Sequence, residues 1–149
     1  MRAVIQRVSN ALVEVDGNAV SAIGAGLLVL VGFHPDDTQD DKDYIISKII
    51  KLRIFNDKND KMNLSLADTG GEVLVVSQFT LYGNAHKGNR PSYSGAMPPD
   101  DAARFYSSFI DDFRKKIPGV KSGIFGSEMS VTLTNSGPVT ILIDSKKIF

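Results

Sequence analysis

The sequence predicts an α+β fold, a single domain of mixed and antiparallel sheets with two main helices. Three observations carry this prediction. Strand-like runs, apolar or alternating, outnumber helical patterns by about three to one. Some of these runs are joined by hairpin signals and others by long crossovers, so the sheet must mix pairing types. Apolar residues recur at helical spacing in only two places, one after Asp37 and one after Pro98.

In chain order, residues 1–8 alternate as a strand. Ala11-Leu12-Val13-Glu14-Val15 follows as a separate run, and Asp16-Gly17-Asn18 is a hairpin signal. Gly26 to Phe33 is a continuous apolar run, read as a strand buried on both faces. Asp37 to Arg53 reads as a helix: acidic residues complement the dipole at its start, and Tyr44, Ile45, Lys48, Ile49 and Leu52 form its stripe. Val73 to Phe79 reads as a second buried strand. Pro98-Pro99-Asp100-Asp101 opens the other helix, Phe105, Phe109, Ile110 and Phe113 give its apolar side, and Pro118-Gly119 ends it. Met129 to Thr134 and Val139 to Ile143 read as two strands joined by Asn135-Ser136-Gly137-Pro138.

With 149 residues, 42% of them apolar, the chain fits one domain (1–149) with one core. Its longest apolar stretch, Ile23 to Phe33, is interrupted by glycine and too short to span a bilayer. Residues 1–7 run straight into a strand pattern, unlike a signal peptide, so a cytoplasmic protein without membrane attachment is expected. No cysteine is present, which removes disulfides, thiol nucleophiles and thiolate metal sites. Seventeen basic and seventeen acidic residues cancel, against a general nucleic-acid coat but not against a local grip on one RNA end. The charges are uneven: Asp36, Asp37, Asp40, Asp41 and Asp43 cluster, while Lys87, Arg90, Arg114, Lys115, Lys116, Lys121, Lys146 and Lys147 lie later.

The usual hydrolase parts are missing. The two histidines, His34 and His86, have nothing nearby to orient a ring and read as surface residues. There is no Gly-x-Ser-x-Gly elbow, and the scattered histidines and carboxylates give no metal-ligand cluster; no metal and no cofactor are expected. Gly24-Ala25-Gly26 precedes a strand and has the wrong spacing for a dinucleotide loop. Two segments remain. Ser77-Gln78-Phe79-Thr80-Leu81 follows a buried strand, where Gln78 and backbone amides can serve an oxyanion or simply satisfy local backbone groups. Asn135-Ser136-Gly137-Pro138-Val139-Thr140 needs no explanation beyond a turn, and by base rate its Gly-Pro bond would be trans.

From end to end the chain resembles the D-aminoacyl-tRNA deacylase family. The matching stretches are Met1-Arg2-Ala3-Val4-Ile5-Gln6-Arg7-Val8, Gly26-Leu27-Leu28-Val29-Leu30-Val31-Gly32, Lys51-Leu52-Arg53-Ile54-Phe55, Ser77-Gln78-Phe79-Thr80-Leu81-Tyr82, Lys87-Gly88-Asn89-Arg90-Pro91-Ser92 and Gly137-Pro138-Val139-Thr140. The Ser-Gln-x-x-Leu and Asn-x-Gly-Pro-x-Thr motifs together are specific. Ser136 stands where the family often has an acidic residue, and Gly83-Asn84-Ala85-His86 varies the loop before Lys87.

The resemblance implies the family's barrel-like core and a cofactor-free hydrolase that cuts the ester between a D-amino acid and the 3′ end of its tRNA, a proofreading step in translation. It also implies hydrolysis of glycyl-tRNA mischarged on an alanine tRNA. Family members are homodimers in which each subunit inserts a cis Gly-Pro unit, here Gly137-Pro138, into its partner's site and excludes an L side chain. Arg7 resembles the arginine that braces this unit. Ser77, Gln78, Phe79, Thr80 and Thr140 match the catalytic region; water is activated there by the terminal ribose hydroxyl or, alternatively, Thr140 is the nucleophile. A strand around Phe125 and Met129 would hold the terminal adenosine. The rivals are an RNA- or protein-docking module and a threonyl-tRNA editing domain of the same fold.

Overall fold

The computed structural model describes residues 1–148. Arg2–Val15 forms one long strand, β1, where the alternation suggested two; the exposed pair Ser9-Asn10 marks a register irregularity without ending it. The second half of β1 folds back on β2 (Asn18–Ile23) through Asp16 and Gly17, whose φ values of 51° and 75° suit a two-residue hairpin. β3 (Gly26–Gly32) pairs antiparallel with the first half of β1.

Helix α1 (Gln39–Lys51) is shorter than its apolar stripe suggested, because Thr38 caps it: the Asp41 carboxylate accepts from the Thr38 amide at 2.8 Å and its hydroxyl at 3.0 Å. A small hairpin, β4 (Phe55–Asn56) with β5 (Met62–Leu64), and a one-turn helix, α2 (Leu66–Thr69), lead to β6 (Glu72–Ser77). None of those three small elements has a sequence signature long enough to announce it. β6 lies parallel to β3, and a 3₁₀ turn, Phe79–Tyr82, follows it, so Phe79 belongs to the turn and not to the strand. Helix α3 (Pro99–Lys116) then crosses back to β7 (Lys121–Ser122), parallel to β6.

The last strand, β8 (Ser130–Asp144), runs antiparallel along the whole of β1. It corrects the expected pair of strands joined by a turn, because both halves face the same partner. The sheet order is β2-β1-β3-β6-β7, with β8 on the other edge of β1, giving a nearly closed, barrel-like sheet.

Side chains sort by the two-residue period of the strands. Leu27, Val29, Val31, Val73 and Val75 face α1 and α3, against Ile45, Ile49, Phe109 and Phe113. Leu28, Leu74 and Val76 point the other way, into a second cluster with Val8, Val13, Met129, Val131 and Leu133. Both faces of the β3–β6 pair are therefore buried, which is why these strands read as unbroken apolar runs.

Candidate active site

A cavity of about 590 Å³ opens at the carboxyl ends of the parallel strands β3 and β6. That is a common location for a site, since loops leave the sheet there with unpaired backbone groups. Ser77, Gln78 and Phe79 form one wall, and Phe125 and Met129 another. Both of the latter lie on the loop between β7 and β8, which corrects the expectation of a strand around them. Phe125 is backed by Tyr106, whose buried hydroxyl donates to Val75 O at 3.0 Å while its ring packs on Phe125 at 5.8 Å. Burial pushes the Tyr106 phenol up to about 12, so it stays protonated and supports Phe125 as a neutral donor to Val75 O.

Gln78 joins the strand to the turn. Its amide donates to Val31 O at 2.7 Å, and its side-chain Nε2 donates to Thr80 Oγ1 at 2.5 Å. The following residues begin a 3₁₀ turn, whose first amides have no partner within the turn. Among the described residues the Phe79 and Thr80 amides meet no acceptor, while Leu81 and Gly83 donate to Gln78 O and Thr80 O. Two adjacent backbone donors at the start of the turn are thus left without an acceptor, next to Gln78 and Phe79 of the cavity wall, and such donors can serve an oxyanion. The exposed Phe79 ring is propped edge-on by Tyr93 at 5.1 Å.

A second cluster sits on β8. Asn135 pairs with Val8 and Thr140 with Gln6, so the four residues Ser136 to Val139 face Arg7 alone and bulge out of the strand. The Gly137-Pro138 peptide is cis, and both residues are exposed. Arg7 spans the base of the bulge: Nε donates to Ser136 O at 2.9 Å, and Nη1 to Ile54 O at 2.7 Å and Asn56 Oδ1 at 3.1 Å. Thr140 Oγ1 accepts from Asn135 Nδ2 at 3.1 Å and Gln6 Nε2 at 3.5 Å.

One chain therefore gathers the expected residues into two groups. Ser77, Gln78, Phe79, Phe125 and Met129 line the cavity, with Thr80 bonded to Gln78; Arg7, Gly137, Pro138 and Thr140 form the bulge and line no part of that cavity. Neither histidine lines it either. His34 and His86 border a separate polar hollow with Arg2, Tyr82 and Asp144, and His34 Nδ1 is occupied by the Asp36 amide at 3.2 Å. Among the described residues no three His, Asp or Glu side chains converge as metal ligands. Sequence reasoning missed Tyr93 and Met97, which line the cavity from a loop without periodicity, and Asn135, whose signal was its place in the Asn-x-Gly-Pro-x-Thr string.

The model of the D-Tyr-tRNA(Tyr) deacylase family matches residues 4–144. A D-aminoacyl-tRNA deacylase of Thermosipho africanus (strain TCF52B) is 56% identical over 149 residues, covering all of both chains. One of Clostridium botulinum (strain Loch Maree / Type A3) is 51% identical over the same span. Among solved structures, a c-Myc DNA Unwinding Element Binding Protein superposes with a TM-score of 0.92 at 44% identity, covering 97% of this chain and 98% of that one. A second, described as a probable eukaryotic D-amino acid tRNA deacylase, has a TM-score of 0.83 at 19% identity over 95% and 97% of the two chains, a likeness of fold.

Proposed function

The chain belongs to the D-Tyr-tRNA(Tyr) deacylase family, and on that premise we propose that it hydrolyses the ester bond of D-aminoacyl-tRNA as a chiral proofreading enzyme. The observation that carries the reading is a cavity walled by Gln78 and Phe79, with two backbone amides beside them that have no acceptor and, among the described residues, no histidine or carboxylate in its lining to act as base. Such a site suits a substrate that brings its own hydroxyl. Water adds to the ester carbonyl, the Phe79 and Thr80 amides take the developing oxyanion, and the carbon–oxygen bond to the ribose breaks. The departing ribose oxygen takes up the proton that the attacking water gives up, leaving free tRNA and a free amino acid. The 2′-hydroxyl next to the ester relays that proton in place of a side chain.

Phe125 and Met129, with the Phe79–Tyr93 pair, give the terminal adenine apolar surface to stack on. The Gly137-Pro138 tip supplies the wall against an L side chain, and it does so in the cavity of a second copy. In support, the tip is exposed, lies outside its own chain's cavity, and shares β8 with the half-exposed Leu142. Glycyl-tRNA, lacking a side chain to exclude, is also a substrate on this reading. Lys87 and Arg90 stand exposed on the loop past the cavity with no carboxylate partner among the described residues, and they offer the RNA its phosphate contacts. The place of work is the cytoplasm, where charged tRNA is used; among the described residues no helix is long and apolar enough to cross a membrane.

The 44% identical neighbour is described as binding DNA, which makes a non-catalytic nucleic-acid module the second reading. Equal numbers of acidic and basic residues weigh against a duplex-binding surface. Incubating the protein with D-tyrosyl-tRNA and L-tyrosyl-tRNA separates the two: release of D-tyrosine alone supports the deacylase, and binding without release supports the module.

A further inference from the structure

We propose that Asn135 is a positioning residue for this hydrolysis, acting as a side-chain clamp that fixes the Gly137-Pro138 tip and orients the Thr140 hydroxyl; the inference rests on the deacylase reading. Extruding Ser136 to Val139 from β8 removes their peptides from the ladder with β1, and each N–H and C=O so released needs another partner. Asn135 supplies it at the base of the bulge. Its Oδ1 accepts the Val139 amide at 2.8 Å, and its Nδ2 donates to Val139 O at 3.3 Å. A carboxamide carries the same donor and acceptor as a peptide, so the side chain replaces the missing strand neighbour. Only Gln shares that pair of groups, and its extra methylene would push the tip outward.

The same Nδ2 donates to Thr140 Oγ1 at 3.1 Å. With Gln6 Nε2 also directed at that oxygen at 3.5 Å, the Thr140 lone pairs are engaged from within the protein. The hydroxyl proton is then the group Thr140 has left to offer, so Asn135 makes Thr140 a hydrogen-bond donor and not a nucleophile. Arg7 braces the opposite shoulder through Ser136 O. Both ends of the tip are thus tied to side chains, and only Gly137 and Pro138 project beyond them.

The test uses full-length wild type, Asn135→Asp and Asn135→Ala with D-tyrosyl- and L-tyrosyl-tRNA, alongside thermal melting. Asp keeps the acceptor for the Val139 amide and loses both donations; Ala loses everything. Because displacing a positioned group by about 1 Å costs on the order of 100-fold, kcat on D-tyrosyl-tRNA should fall about that far in Ala and less in Asp. KM should stay within about twofold, since the RNA is gripped elsewhere. The ratio of D to L hydrolysis should fall with kcat, which a merely stabilising residue would not cause below the melting point. Unchanged kcat and D:L ratio in both variants, with wild type active, would overturn the clamp and leave the deacylase reading standing. Wild type that leaves D-tyrosyl-tRNA intact would overturn both. Amide exchange at Val139 in the wild type checks the clamp without any variant: protection is expected, and exchange at the solvent rate would overturn it.

Discussion

Gly137→Ala is the substitution whose consequence follows most directly from the geometry of the tip. Gly137 has φ +132°, a region that residues with a side chain rarely enter. A Cβ built there would lie 2.8 Å from Arg7 Nη2, 2.8 Å from Val139 Cγ2 and 3.1 Å from Val139 N. Carbon contacts prefer about 3.5–4.0 Å. Arg7 can withdraw, but at the expense of its bond to Ser136 O; the Val139 backbone is held by Asn135 and cannot. The backbone strain alone costs roughly 1–3 kcal/mol. At about 1.4 kcal/mol per tenfold, the intact tip should be depleted roughly 5- to 150-fold, and D-tyrosyl-tRNA hydrolysis should fall in that range.

The same variant tests where the tip acts. Gly137→Ala and Gln78→Ala should each be poorly active alone. Co-folded in equal amounts as a symmetric dimer, about half the dimers are mixed, and each mixed dimer would join one intact cavity to one intact tip, restoring about one quarter of wild-type activity. If tip and cavity acted within one chain, no intact site would form and activity would stay at the level of the separate variants. The assay is release of labelled tyrosine, with sedimentation to show that mixed dimers formed. Mixed dimers without recovery would refute the two-chain site, and wild-type rates for Gly137→Ala would refute the steric argument itself.

Glycyl-tRNA should be cleaved and L-tyrosyl-tRNA spared, because a wall that excludes a side chain cannot reject its absence; the same release assay with glycine label decides it. Substrate lacking the terminal 2′-hydroxyl should bind comparably and turn over far more slowly, and equal single-turnover rates would require a protein base. Replacing Lys87 and Arg90 with Ala should weaken tRNA use but not hydrolysis of a D-aminoacyl-adenosine ester, and should flatten the dependence of log kcat/KM on log salt by about 0.7 per lost phosphate contact. Stability should hold above about pH 5 and decline below about pH 4. Lys115, with Gln39 and Lys42, holds the Asp112 carboxyl below the ordinary range; burial raises that of Asp41, but bonds from Lys146, Ser145 and Thr38 outweigh it. A carboxyl depressed by folding contributes above its unfolded pKa, and that contribution is lost as pH falls toward the folded value. Melting curves of wild type and Asp112→Asn should therefore converge in acid.

Strand faces were legible in the sequence because burial imposes a two-residue period, and β3 and β6 showed both faces covered by losing it. The partner across a strand leaves no such mark. Ser9-Asn10 and Asn135 to Pro138 each combine polar residues, glycine or proline in a way that ends a strand when the chain is read alone. In the folded protein both are interruptions within strands, because β1 and β8 run past each other on either side and hold the direction. Whether a Gly-Pro segment reverses the chain or bulges from it is decided by the residue opposite, here Arg7, far away in sequence. The cavity was half legible for the same reason. Ser77 to Phe79 follow a buried run and can be placed at its end, whereas Tyr93, Phe125 and Met129 arrive on loops whose paths are set by what they pack against. Asn135 is the instructive case: its amide completes no local turn signature, and its role appears only once four residues of β8 are seen to face one of β1. A motif read as a string names the residues of such a device, but the opposing strand determines which of them clamps and which projects.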